Sequence, residues 1–390
     1  MTSLDDLPIR DDLRGRTPYG APQKAVPVAL NVNENTHPIP EAVAHDIVAR
    51  VAASILTLNR YPDREFTALR EAFAAYLGHG LGAANIWAAN GSNEVLQHLL
   101  QAFGGPGRSA LGFAPTYSMY ALLAAGTGTE WIAAARDDDF ELSPETAVAA
   151  VREHDPDLVL LCAPNNPTGT PLDLDTIRAV ADAARGIVIV DEAYFEFADP
   201  GTPSALALLE GRPRLVVSRT MSKAFAFAGA RVGYLAGDPA TIDALRLVRL
   251  PYHLSALTQA AALGALAHSG EMLAMVDEIR GQRERIVVDL ARLGFAPHRS
   301  GSNFVLFGGV DDPHAVFEAL LARGILIREL GIPGHLRVTA GTEAETTAFL
   351  EAIAVFAPNA EREHTRDHEQ TSGPGTDGGA PTSTENRIDA

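Results

Sequence analysis

Lysine is nearly absent from this sequence. Of 31 basic side chains in 390 residues, only Lys24 and Lys223 are lysines. Arginine keeps its proton in proteins, so amine nucleophile chemistry would have to run through one of these two. Cysteine is scarcer still. Cys162 stands alone, which excludes an intramolecular disulfide, and its setting in the apolar run 158–162 reads as an inert core thiol. Positive charge is also short: 49 acidic residues give a formal net charge of −18. Nucleic acids and anionic membranes need clustered cations, so neither is an expected partner. No apolar run approaches the ~20 residues of a membrane helix. Residues 1–16 are polar and acidic without the apolar core of a secretory signal. A cytoplasmic, soluble protein is therefore expected. There is no phosphate-loop Gly-Lys pair and no Gly-x-Gly-x-x-Gly after a strand, which speaks against a nucleotide-binding enzyme.

What is present is ordinary globular material, 46% hydrophobic and 21% charged, in a chain long enough for two domains. Residues 1–40 are proline-rich and favour an extended arm. Helical patterns follow over 41–56 and 64–77. From residue 109 to 236, short apolar runs alternate with amphipathic segments, the pattern of an α/β domain with a largely parallel sheet. A long helical region, 254–293, leads into a second set of strands near 303–307, 325–328 and 336–339 with helices between them. The expected division is an N-terminal arm (1–44) that completes the small domain and reaches a partner, a large cofactor-binding domain (45–245), a smaller α+β domain (246–357) and a disordered acidic tail (358–390). The tail has no aromatic residue and too little apolar surface to fold. Its His364 and His368 are four apart, but in such a segment they read as solvated, and no metal site is expected.

Chemistry gathers where the strands end. Ligands of open α/β sheets bind at the carboxyl ends of the strands. Past Cys162 comes Asn165-Asn166-Pro167-Thr168-Gly169, a turn that fixes an amide at the sheet edge. Past Val190 comes Asp191-Glu192-Ala193-Tyr194, which sets a carboxylate where burial without a cation is costly. Past Ser218 comes Arg219-Thr220-Met221-Ser222-Lys223. The run before Ala114-Pro115-Thr116-Tyr117 supplies a fourth strand end, and Gly91-Ser92-Asn93 opens a helix whose free N–H groups suit a phosphate. Each feature alone has an ordinary explanation: Asp191 could cap a helix, Asn166 could simply make its turn, and Arg231 could pair with a surface acid. Together they supply what pyridoxal 5'-phosphate requires, namely an amine for its aldehyde, a carboxylate for its ring nitrogen, donors for its ring oxygen and a phosphate cradle.

The order Asn166-Pro167-Thr168-Gly169, Asp191-Glu192-Ala193-Tyr194, Ser222-Lys223 and Arg231 resembles the fold-type-I pyridoxal-phosphate aminotransferases. With Asn59-Arg60-Tyr61-Pro62, Asn90-Gly91-Ser92-Asn93-Glu94 and Arg249-Leu250-Pro251-Tyr252-His253, the chain is most similar to their histidinol-phosphate branch, over roughly residues 10–357. The resemblance implies a large mostly parallel-sheet domain with a smaller α+β domain, and a homodimer. It implies Lys223 as the Schiff-base residue, Asp191 on the pyridinium nitrogen, Asn166 and Tyr194 on the ring oxygen, and Tyr117 stacked on the ring. Gly91, Ser92, Asn93, Thr220, Ser222 and Arg231 would surround the phosphate, with Tyr61 reaching it from a second subunit. Arg328, Arg337 and the partner's Tyr19 would meet the substrate. The implied reaction is transamination between histidinol phosphate and 2-oxoglutarate, yielding glutamate, in histidine biosynthesis. Aromatic or broad-specificity aminotransferases share most of these motifs and stay open as an alternative. So does a non-catalytic pyridoxal-phosphate-binding regulator, although no basic stretch or helix-turn-helix candidate precedes residue 40.

Overall fold

Seven apolar runs make the strands of one sheet: β1 (Ile86–Ala89), β2 (Ser109–Ala114), β3 (Glu130–Ala135), β4 (Leu158–Cys162), β5 (Ile187–Asp191), β6 (Leu215–Thr220) and β7 (Gly233–Ala236). This is a computed structural model, and residues 3–15 and 20–358 are described. In space the strands run β1-β7-β6-β5-β4-β2-β3. β7 is antiparallel to both neighbours, and the pairs from β6 through β3 are parallel. Every residue of β4 and β5 is buried, which is why these strands read as unbroken apolar runs: parallel sheets are covered on both faces. The helix Ser92–Phe103 buries Val95, Leu96, Leu99 and Leu100 and packs against β1, β6 and β7. Its 3.6-residue spacing turns a sequence pattern into one apolar stripe.

A second sheet is built on the antiparallel pair β8 (Phe304–Gly308) and β9 (Leu336–Thr339), with the two-residue strands Ala296–Pro297 and Arg328–Glu329 at its edges. It has its own core, in which Phe304, Phe307, Leu336, Val338 and Phe349 pack against Ile279 and Ile286. Val28–Ala29 pairs in parallel with Ile325–Leu326, so the N-terminal segment is stitched to this smaller body before it passes the end of the large sheet.

The long helical region expected over 254–293 consists of two helices, Ala256–Ala267 and Ser269–Arg292, divided at His268. The first serves the larger core, and the second passes from it at Met272 to the smaller one. Ala262, Ala265 and Leu266 belong to the larger one, whereas Val276, Ile279, Ile286 and Leu290 belong to the smaller. Hydrophobic periodicity is nearly continuous through the break, so it cannot show that the packing partner changes. Among the described residues, no helix is long and apolar enough to cross a membrane. Tyr19 and residues 359–390, including His364 and His368, lie outside the described residues.

Candidate active site

The carboxyl ends of β4, β5 and β6 lie side by side. Asp191, the last residue of β5, is in register with Cys162 on one side and Ser218 on the other. Above them is a chamber of about 110 Å³. Its walls bring together Ser92, Asn93, Tyr117, Asn166, Asp191, Tyr194, Thr220, Ser222, Lys223 and Arg231. Cys162, expected to be an inert core thiol, is also a wall of this chamber. It is buried, and burial pushes its thiol up to about 12, so its position gives it no nucleophilic character.

Asp191 forms the floor. Its carboxylate accepts from Tyr120 Oη at 2.8 Å and from Ser218 Oγ at 3.1 Å. It is 3% exposed, and burial raises its pKa while the Tyr120 and Ser218 donors pull the other way. No cationic side chain among the described residues forms a salt bridge with it. A buried carboxylate held only by neutral donors is suited to a cationic ligand group.

Lys223 enters from the loop after β6. Its Nζ donates to Val32 O at 3.0 Å, a carbonyl delivered by the N-terminal segment. Desolvation, with the positive charges of Arg337 and Arg231, brings the ammonium down to about 8, against an opposing pull from Glu34. The other lysine, Lys24, is exposed. Sequence singled out Lys223; the fold gives it the environment that makes an amine reactive near neutral pH.

Between floor and lysine runs a polar network. Asn166 Nδ2 donates to Tyr194 Oη at 3.2 Å, and Arg337 Nη1 donates to Asn166 Oδ1 at 2.6 Å. Arg337 Nη2 donates to Asn31 O at 3.0 Å. Burial raises the Tyr194 phenol pKa, with Arg337 pulling it down. Tyr117 Oη donates to Asn93 Oδ1 at 3.3 Å, and its ring meets Tyr120 edge-on.

The opposite end has the form of an anion cradle. Gly91, at φ 87°, precedes the helix Ser92–Phe103. A Cβ on Gly91 would lie 2.4 Å from Arg231 Nη2, and one on Gly233 would lie 2.1 Å from Ser92 N. Only glycine lets the guanidinium and β7 approach the helix start this closely. Arg231 holds a left-handed φ of 55°, pinned by donation from Nη1 to Ala228 O at 3.0 Å and to Ser222 Oγ at 3.4 Å. Such strain in a non-glycine residue costs on the order of 1–2 kcal/mol, and here it aims a charge. Thr220 Oγ1 accepts from Ser222 N at 3.1 Å. Helix N-terminus, hydroxyls and arginine together match a phosphate.

An outer chamber of about 380 Å³ shares Tyr117, Asn166, Tyr194 and Lys223 with the inner one and adds Trp131, Arg328 and Arg337. Arg328 and Arg337 are register partners on adjacent strands, so two guanidinium groups line one cavity. Tyr61 is not brought to either chamber. It is 79% exposed and stacks on Tyr252 with ring centroids 4.4 Å apart. The sequence gives no role to Tyr120, Ser218, Val32 or Asn33. Ser218 is marked there only as a strand end, and Tyr120 only by the repeat of tyrosine three residues after Tyr117.

The family profile described as "Aminotransferase class I and II" matches residues 26–353. The histidinol-phosphate aminotransferase of Paenarthrobacter aurescens is 64% identical over 356 residues, covering 90% of this chain and 96% of that protein. That of Thermobifida fusca is 58% identical over 351 residues, with 90% and 96% covered. The crystal structure of histidinol-phosphate aminotransferase from Sinorhizobium meliloti, in complex with pyridoxal-5'-phosphate, superposes with a TM-score of 0.76 at 27% identity, covering 87% of this chain and 92% of that one. The fold and the identity agree along nearly the whole described chain, which therefore belongs to the class I and II aminotransferase family.

Proposed function

We propose that this chain catalyses transamination between histidinol phosphate and 2-oxoglutarate with pyridoxal 5'-phosphate, a step of histidine biosynthesis. The observation that carries the cofactor is Asp191: a buried carboxylate whose partners are neutral donors, facing a chamber that also holds Lys223 and an anion cradle. The substrate rests on the high identity to histidinol-phosphate aminotransferases and on the two arginines of the outer chamber.

The donor set fits the cofactor group by group. Asp191 would hold the ring nitrogen protonated, Asn166 and Tyr194 would bond the ring oxygen, and Tyr117 would cover the ring. Ser92, Asn93, Thr220, Ser222 and Arg231, beside Gly91, would hold the phosphate. When bound, the cofactor supplies an electrophilic aldehyde and an electron sink. The chain supplies the proton traffic. Lys223, with its pKa lowered to about 8, exists partly as the free amine near neutrality and can take and return the proton at the substrate carbon. Arg337 and Arg328 orient an anionic substrate, since a guanidinium fork takes a carboxylate or a phosphate bidentately.

A homodimer in the cytoplasm is the state we propose. Leu56, Leu58 and Tyr61 on one segment and Leu247, Leu250 and Tyr252 on another are exposed apolar side chains, joined by the Tyr61–Tyr252 stack. Such a patch calls for a covering partner, and it would place Tyr61 at a second subunit. Tyr19 is proposed to reach the partner's substrate.

The deciding experiment is the visible absorbance of the purified protein with cofactor, before and after histidinol phosphate is added without acceptor. Loss of the visible band is expected, as is its recovery on adding 2-oxoglutarate. Phenylalanine should act far more weakly; an equal or better response to phenylalanine would instead support the aromatic aminotransferase reading. Lys223→Arg should lower turnover by at least roughly a thousandfold with the fold retained, and near-native turnover would refute its role.

A further inference from the structure

The N-terminal segment lines the outer chamber with Val32 and Asn33, and Asn33 bonds Tyr194, a wall shared with the inner one. Asn33 is 2% exposed and sits at φ 57°, a left-handed backbone that asparagine accepts more readily than most L residues. Its amide orientation is dictated by Thr339. The backbone N–H of Asn33 donates to Thr339 Oγ1 at 3.1 Å. The same hydroxyl gives its proton to Asn33 Oδ1, also at 3.1 Å. The amide NH₂ is thereby turned the other way, and Nδ2 donates to Tyr194 Oη at 3.0 Å.

Tyr194 Oη also receives Asn166 Nδ2 at 3.2 Å. That second amide is oriented in the same manner, because Arg337 Nη1 donates to its Oδ1. A phenol oxygen can accept from two donors and give one proton. Both accepting positions are filled, so the only role left to the hydroxyl is donation, and the chamber it lines is the one that holds Lys223. Thr339 lies two residues from Arg337 on β9, so the strand that presents the anion-binding arginine also anchors Asn33.

We propose that Asn33 is a positioning residue that locks Tyr194 as a hydrogen-bond donor toward the cofactor's ring oxygen. Accepting a bond polarises the phenol O–H and strengthens its own donation. With the cofactor bound to Lys223, a stronger donor from Tyr194 at the ring oxygen would disfavour a proton shared with that oxygen, so the midpoint of the visible pH titration would lie at lower pH. The inference rests on the pyridoxal-phosphate reading above.

The test is a pH titration of the visible absorbance of the cofactor-loaded full chain. Asn33→Gly keeps the left-handed backbone and removes the donor; its midpoint should rise by up to about one pH unit. Thr339→Val frees the amide and should shift the midpoint in the same direction by less. Tyr194→Phe should raise it at least as far as Asn33→Gly, and adding Asn33→Gly to Tyr194→Phe should produce no further shift. An unmoved midpoint in Asn33→Gly, or an equal shift in the Tyr194→Phe background, overturns the inference. If Asn33→Gly does not fold, an unmoved midpoint in Thr339→Val overturns it. A wild-type protein without any visible band overturns the cofactor reading and this inference with it, whereas a normal band with an unmoved midpoint overturns the inference alone.

Discussion

Asp191 and Glu192 are consecutive, equally buried carboxylates at the end of one strand, and the fold treats them in opposite ways. On the next strand Asp191 is in register with Ser218, and Glu192 is paired with the following residue, Arg219. Strand alternation sends one member of each consecutive pair to either face of the sheet. On the chamber face, Asp191 meets neutral donors, the hydroxyls of Tyr120 and Ser218 and the backbone N–H of Ala193. On the other face, Arg219 Nη2 reaches Glu192 Oε2 at 2.8 Å and Nη1 reaches Glu196 Oε1 at 3.4 Å. Ser204 Oγ and the backbone N–H of Ala205 complete the shell of Glu192. The arginine guanidinium stacks over Phe195 at 4.3 Å. Burial of a charge therefore does not by itself mark a functional residue. What marks it is neutralisation left incomplete by the protein and directed at a cavity.

This contrast can be broken by substitution. The largest effect is expected from Asp191→Asn, which should lower kcat by roughly a thousandfold while leaving the cofactor-free protein at least as thermally stable as wild type, because a costly buried charge is removed. Steady-state kinetics alongside thermal melts of the cofactor-free protein check both halves; marked destabilisation would make Asp191 structural like its neighbour. Arg219→Met should do the reverse. It leaves Glu192 and Glu196 buried without a cation, and denaturant unfolding should show a loss of about 3–5 kcal/mol, with kcat of the protein that remains folded unchanged. The smallest effect concerns pH. The folded state raises the pKa of Asp191 from its ordinary 3.8, so it binds this proton more tightly than the unfolded chain does. That contribution to cofactor-free stability is greatest at acid pH and is lost as pH rises from 3.8 through the raised value. The melting-temperature advantage of Asp191→Asn should grow over the same interval, and a constant difference would show that Asp191 is not perturbed as described.

Much of the inner chamber was legible because its parts are local. Lys223 stood out as one of two lysines, Asp191 as a carboxylate ending an apolar strand, and Gly91-Ser92-Asn93 as a helix start. Each is a short-range signal whose physical meaning survives without the rest of the chain. Tyr120 and Asn33 carried no comparable mark. Tyr120 sits on the helix Met119–Thr127 and bonds a residue 71 positions away; Asn33 joins Tyr194 across 161 positions and Thr339 across 306. The long helical region was legible as helical, but its periodicity says that one face is apolar and not where the helix breaks or which core covers it.

The sequence by itself determined the alternation of strands and helices, the strand ends at which the candidate site residues gather and which lysine is the candidate amine. Those follow from periodicity, turn chemistry and the plain scarcity of lysine. Only the tertiary structure decided which face of β5 looks into the chamber, which carboxylate keeps a cation, and that an N-terminal asparagine orients Tyr194. These depend on side chains brought together from distant parts of the chain, where desolvation and hydrogen-bond direction, not local spacing, set the outcome.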